Sequence, residues 1–112
     1  MSNEVPLQLA HDARVRFLKA LGYSELDIGG TAIIMADAAV VYKSEGFAGE
    51  EIDIALAVEN FSRAGFDIFY KMYNTNQQKD LAWVKTGIVC FDYDQRKVKA
   101  VPEEFKKKIE RL

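Results

Sequence analysis

Two carboxylates and one histidine stand near the start of the chain: Glu4, His11 and Asp12. Carboxylates and imidazole exchange protons close to neutral pH, so this group could activate a water molecule or attack an electrophilic carbon. Asn3 can cap a helix, and the unpaired N–H groups of a first turn at residues 3–5, aided by the helix dipole, favour developing negative charge. Arg63, beside Ser62 in the short stretch SRAG, and Lys43, at the end of an apolar run, are cations suited to holding an anionic group. Asp12 is nine residues beyond Asn3, about 13 Å along a helix axis at roughly 1.5 Å per residue, too far to serve an oxyanion at its own helix N-terminus. It could act only on a site built elsewhere, including one shared with a second copy.

Each of these residues also has a plainer reading. Asp12 reads as an exposed or paired helix residue ahead of a catalyst, and Glu4 as a first-turn charge favoured by the dipole. His11 shares a spacing with Val15 and Leu18, which makes it a hydrogen-bonded core histidine; no other side chain accompanies it at metal-ligand spacing, so no metal is expected. Arg14 reads as an ion-pair or interface residue, and Tyr42 and Phe47 as sheet packing. Solvated positions are the alternative for Ser62, Arg63 and Lys43.

The elements that must position these groups follow from periodicity. Leu7, Ala10, His11, Arg14, Val15, Leu18 and Leu21 recur at spacings of three and four, predicting a helix from about Val5 to Leu21 that Gly22 ends. After a turn-rich segment at residues 23–31, the pattern changes to alternation. Thr31–Lys43, Glu50–Phe61, Phe66–Asn74 and Leu81–Tyr93 are rich in β-branched and aromatic residues and read as four strands. In the second, Ile52, Ile54, Leu56 and Val58 share one face, which is the pattern of a sheet covered on one side. The links SRAG and TNQQKD are hairpin-sized, so the last three strands should form an antiparallel meander. A closing helix, Pro102–Arg111, opens with proline and two glutamates and carries lysines further on. The fold class is α+β, with the first helix packed on the sheet.

Composition bounds the partners. With 112 residues and 49% hydrophobic content, the chain is one domain, residues 1–112, burying roughly two-thirds of its unfolded surface. A net charge of −2 leaves no basic footprint for nucleic acid. Cys90, alone in GIVCF, cannot form a disulfide within the chain and reads as a buried thiol, fitting a reducing compartment. No apolar run approaches the ~20 residues of a membrane span. A soluble, cytoplasmic protein is expected, with no nucleic-acid or membrane partner.

The runs HDARVRFLKALGYSE, VVYKSEGFAGEEIDIAL, NFSRAGFDIFYKM and VKTGIVCFDYDQRKVKAVPEEF resemble, in order and spacing, the 4-hydroxybenzoyl-CoA thioesterase-like branch of the hotdog acyl-CoA thioesterases. The resemblance spans Asn3 to about Phe105. It implies a hotdog fold, a long helix wrapped by a curved antiparallel sheet, and hydrolysis of an acyl-CoA thioester, with that thioester as substrate and no cofactor. By resemblance, the residues left to carry catalysis are Asp12, His11 and Glu4, while Asn3, Lys43, Ser62 and Arg63 would bind substrate, Ser62 and Arg63 near the CoA phosphates. The strand Thr31–Lys43 would be the edge that pairs with its twin in a homodimer or homotetramer. In that family a first strand and an active-site loop precede the helix, whereas this chain starts about where that loop ends. The resemblance therefore implies an N-terminally truncated hotdog with impaired catalysis and an exposed edge at Glu50–Phe61; the alternative is a non-catalytic acyl-CoA-binding protein.

Overall fold

Helix α1 runs Glu4–Ala20, 17 residues, in the computed structural model, which describes residues 4–46 and 49–112. Ala10, Arg14 and Leu18 are buried against the sheet, and Leu7, Leu9, Ala13 and Phe17 are half-buried on either side of that line. The end of the helix is a Schellman motif. Gly22, at φ +87°, donates to the carbonyl of Lys19 at 3.0 Å, and Tyr23 donates to that of Leu18 at 2.8 Å. His11 and Val15, expected on the buried stripe, instead face solvent: Val15 is 42% exposed, and the His11 side chain 47%. The helix rests on a narrow line through Ala10, Arg14 and Leu18, and the residue following each of these is rotated about 100° away from it. His11 is therefore not a core histidine.

Among the described residues five strands follow: β1 (Ala32–Tyr42), β2 (Ile52–Glu59), β3 (Gly65–Asn74), β4 (Lys79–Asp92) and the two-residue β5 (Lys97–Val98), then helix α2 (Glu103–Glu110). The four long strands match the alternating segments of the sequence. β5 was not anticipated, because two residues in a polar stretch carry no readable period. The sheet order is β1-β4-β3-β2 with antiparallel pairing throughout, and β5 pairs with the end of β4. Strands β2 to β4 form the expected meander. β1 pairs with β4, so β1 and β2 stand three strand spacings, about 14 Å, apart in the sheet.

Alternation sorts the strand residues onto two faces. Phe66, Ile68, Tyr70 and Met72 of β3 lie opposite Ile88, Thr86, Val84 and Ala82 of β4, and all eight are buried beneath α1. Phe105 of α2, fully buried, closes one end by packing on Phe66 at 5.2 Å and Tyr23 at 5.6 Å between ring centroids. Cys90 is buried beside them, as expected, and burial pushes its thiol up to about 11, which makes it a packing residue and not a nucleophile. On β1 the register slips between Met35 and Asp37, a bulge that turns the Asp37 carboxylate over β4. There it accepts the Gly87 N–H and the Lys85 ammonium, each at 3.0 Å.

Candidate active site

Between α1 and the free edge of β2 runs a groove of about 520 Å³. Leu9, Ala13 and Phe17 of the helix and Ile52, Ile54 and Leu56 of the strand make an apolar floor, while Asp12, Arg16 and Asp53 carry charge along its rim. The groove exists because, among the described residues, β2 has a neighbouring strand on one side only, so its inward side chains stay half-exposed. Gln8, Asp12 and Arg16 stand four residues apart and share a helix face. The Gln8 side-chain amide donates to Asp12 Oδ1 at 3.1 Å, fixing one oxygen and leaving the other free. The Asp12 side chain is 53% exposed, so a water molecule has access to it.

His11 does not join Asp12 in the groove. Its Nε2 is 3.0 Å from Glu25 Oε1, and its Nδ1 lies 4.0 Å from Asp12 Oδ1. Glu25 also accepts from Arg14 Nε at 2.9 Å, and Arg14 reaches inward to the Tyr70 hydroxyl at 3.2 Å, which meets Thr86 Oγ1 at 3.1 Å. Arg14 is thus the ion-pair residue that its type suggested. Its pKa is raised: burial works against the charge, but the bonds with Tyr70 and Glu25 outweigh it. Glu25 comes from the turn-rich segment, whose geometry is held by the Asp27 carboxylate accepting the Gly29 and Gly30 N–H groups at 2.9 and 2.8 Å. Those two bonds, with Gly30 the stronger influence, keep the Asp27 carboxyl below its ordinary value.

Ser62 and Arg63 lie in the turn joining β2 to β3. The Ser62 hydroxyl and N–H both bond the Gly65 carbonyl, at 3.3 and 2.9 Å, and the Arg63 carbonyl accepts the Val101 N–H at 2.8 Å. These bonds fix the backbone and leave the Arg63 side chain in solvent. Lys106 of α2 lies over the Phe61 ring at 5.8 Å, so a second cation stands at this end of the fold. Lys43 is elsewhere: its ammonium sits 3.9 Å over the Trp83 ring, on the face of the sheet turned away from α1. Tyr42 is level with Ala82 and Gly65 with Val89, seven residues apart on β4, so roughly 24 Å separates Lys43 from the Ser62–Arg63 turn. One chain does not bring them together. Asn3 and the side chain of Glu4 lie outside the described residues, as does Phe47.

Four residues here had no assigned role in the sequence reading. Gln8 and Arg16 were detectable through their spacing from Asp12. Glu25 and Lys106 carried no such signal, since one lies in a loop and the other in a run of three lysines. Among the described residues, no group of three or more His, Cys, Asp and Glu is placed to hold a metal ion, and no helix is long and apolar enough to cross a membrane.

Comparison with known proteins places this geometry in context. The chain matches the sequence family described as the thioesterase-like superfamily over residues 1–109. Among solved structures, it is similar to a 1,4-dihydroxy-2-naphthoyl-CoA thioesterase from Synechocystis, with 21% identity and a TM-score of 0.86, covering 100% of this chain and 84% of that one. A DHNA-CoA thioesterase from Staphylococcus aureus gives 22% identity and a TM-score of 0.84, over 99% of this chain and 79% of that one. A thioesterase from Thermus thermophilus, complexed with coenzyme A and Zn, gives 16% and 0.78, over 97% and 82%. A search of curated protein sequences finds no match. The helix laid on an antiparallel sheet is thus a hotdog-like arrangement, and the chain belongs to the thioesterase-like superfamily.

Proposed function

We propose that this protein hydrolyses an acyl-CoA thioester, with the acyl group in the α1–β2 groove and Asp12 as the general base. The observation that carries this reading is the position of Asp12, on the rim of an apolar groove with one oxygen held by Gln8 and the other free. Asp12 takes a proton from water, and the water oxygen adds to the thioester carbonyl carbon. The tetrahedral intermediate then collapses, breaking the C–S bond, and the departing thiolate takes up the proton. Arg16, one turn along, is a cation on the same rim. β2 continues from the groove to the Ser62–Arg63 turn, six residues or about 20 Å beyond Leu56, where Arg63 and Lys106 would meet the phosphates of CoA. Lys43 stays outside this arrangement. The Thermus relative crystallised with coenzyme A supports the ligand class.

The test is a thiol-release assay with short, long and aromatic acyl-CoA esters. Asp12→Asn is expected to lower kcat about 10²-fold, the low end for general base catalysis because the carboxylate is half-exposed. Arg63→Ala is expected to raise KM and leave kcat near the parent value. Wild-type turnover that survives Asp12→Asn intact refutes the assignment of the base. A second reading, binding without hydrolysis, is favoured by one observation: His11 is tied to Glu25, so Asp12 has no imidazole with which to relay a proton. Acyl-CoA binding by calorimetry with no thiol released establishes that reading instead.

The same reading includes pairing of two copies along β1. Among the described residues its outer edge has no strand partner, and Met35, Val41 and Tyr42 of this strand are 50%, 51% and 38% exposed. An open apolar edge of this length invites a partner, and a twin strand related by a two-fold axis satisfies it. Sedimentation at micromolar concentration is expected to show no monomer; a stable monomer would refute the pairing.

A further inference from the structure

We propose that Arg16 is the oxyanion donor of this site, its guanidinium holding the thioester carbonyl oxygen as negative charge develops there. This assignment rests on Asp12 being the base, and it supplies what a base alone lacks. Activating water is one half of the reaction; N–H donors must also stand where the carbonyl oxygen gains charge. The first turn of α1 does not offer them to Asp12. Glu4 and Val5 precede Asp12 by eight and seven residues, about 10–12 Å at roughly 1.5 Å per residue, and Pro6 has no N–H. The later N–H groups of α1 are committed within the helix, and those along the open edge of β2 point in the plane of the sheet, beneath the apolar floor. The donor must be a side chain.

Arg16 follows Asp12 by one turn and lines the same rim, so the two side chains start about 5–6 Å apart. Hydrogen bonds of about 2.8–2.9 Å on either side of a tetrahedral carbon span a gap of this size. Among the described residues Arg16 makes no hydrogen bond or ion pair, although a carboxylate four residues ahead is the favourable arrangement for one; Asp12 is engaged by Gln8 instead. An exposed pair of that kind is weak and yields to a ligand. Arg14, two residues away, is the contrast, buried and bonded to Glu25 and Tyr70. Chain direction sets the order along the groove. Arg14 meets Tyr70, and Tyr23 packs with Phe105 against Phe66, so α1 runs antiparallel to β3 and hence parallel to β2. Leu56 is level with Tyr70, and Asp53, the other carboxylate of the rim, lies about 10 Å back along β2. A pantetheine arm arriving from the Ser62–Arg63 turn therefore passes Arg16 before Asp12, and Asp53 stands beyond the reacting carbon. Addition of the water oxygen moves the carbonyl π pair onto oxygen, where the guanidinium N–H groups meet it. That pair re-forms the carbonyl as the C–S bond breaks, and the thiolate takes the proton that Asp12 removed.

The test is thiol release by the full chain from acetyl-, palmitoyl- or benzoyl-CoA, whichever is turned over fastest. Arg16→Ala is expected to lower kcat about 10²-fold with KM within about twofold of the parent, and Arg16→Lys, which keeps the charge but loses the planar fork, to regain about tenfold of that loss. Guanidinium ion at millimolar concentration should restore turnover to Arg16→Ala and not to Asp12→Asn. Arg16 is exposed, so the far-ultraviolet circular dichroism should be the same in each variant. An unchanged kcat in Arg16→Ala overturns the assignment and leaves Asp12 as the base. A raised KM at unchanged kcat overturns it too, since Arg16 would then be a contact to CoA. So does a lowered kcat that neither Arg16→Lys nor guanidinium restores, because the side chain would then act through the shape of the groove. A parent protein that releases no thiol refutes hydrolysis itself, and the role of Arg16 with it.

Discussion

Gly65→Ala is expected to lower stability by about 3 kcal/mol, at the upper end for overpacking, because the added methyl has nowhere to go. A Cβ built on Gly65 would overlap the carbonyl oxygen of Ile88. That oxygen is backbone, held in β4 between β1 and β3, so relief requires the first residues of β3 to move. Any such movement also strains the 2.9 Å bond from Ser62 N–H to the Gly65 carbonyl and the 2.8 Å bond from Cys90 N–H to the Ala64 carbonyl. For a domain of this size the melting temperature should fall by roughly 10 °C or more, and urea denaturation with an unchanged m-value would confirm that the folded state bears the loss. Gly22→Ala is the internal contrast. Its φ of +87° strains an L side chain, but no atom lies within 4 Å of the new Cβ. Backbone strain alone should cost about 1–2 kcal/mol. Equal losses at the two sites would mean that the Ile88 overlap relaxes freely.

Elements were legible in this sequence where local pattern decides them, and illegible where pairing between distant segments does. The spacing of Leu7, Ala10, Arg14 and Leu18 with Gly22 behind them locates α1 to within a residue at each end. The alternation of Ile52, Ile54, Leu56 and Val58 locates β2. His11 and Val15 were misplaced because a spacing of three or four also collects residues at the margin of a stripe, and only the contact with the sheet shows how wide the stripe is. The groove beside Asp12 depends on β2 standing at the edge of the sheet. That follows from the pairing of β1 with β4, segments some fifty residues apart that carry no mutual signal in one sequence. The same non-local order separates Lys43 from Arg63, two cations that chain position alone allows to meet. At the level of superfamily, the order of the quoted runs was informative, because a fold preserved in order and spacing constrains many weak positions together.

Glu25→Ala is expected to destabilise the protein by about 2–3 kcal/mol, although Glu25 itself lies in a loop with its side chain 31% exposed. The loss arises at Arg14. Its side chain is 7% exposed, and it bonds Glu25 on one side and the Tyr70 hydroxyl on the other. Removing the carboxylate leaves a guanidinium beneath the helix with one neutral partner, and an uncompensated buried charge typically costs about 3–5 kcal/mol. Water entering at the exposed side of Glu25 reduces that figure. The companion variant Arg14→Met removes the charge and keeps most of the volume, so it should cost less than Glu25→Ala, even though it strips a partner from Tyr70. Tyr70 retains Thr86 at 3.1 Å. The double variant, Arg14→Met with Glu25→Ala, is decisive. If the penalty in Glu25→Ala is that of a stranded charge, the double variant should be more stable than Glu25→Ala alone, giving a coupling of about 1–2 kcal/mol in a denaturation cycle. Additive losses would show instead that Glu25 acts through its other side-chain contact, the one its Oε1 makes with His11 Nε2 at 3.0 Å, and that the pair with Arg14 contributes little.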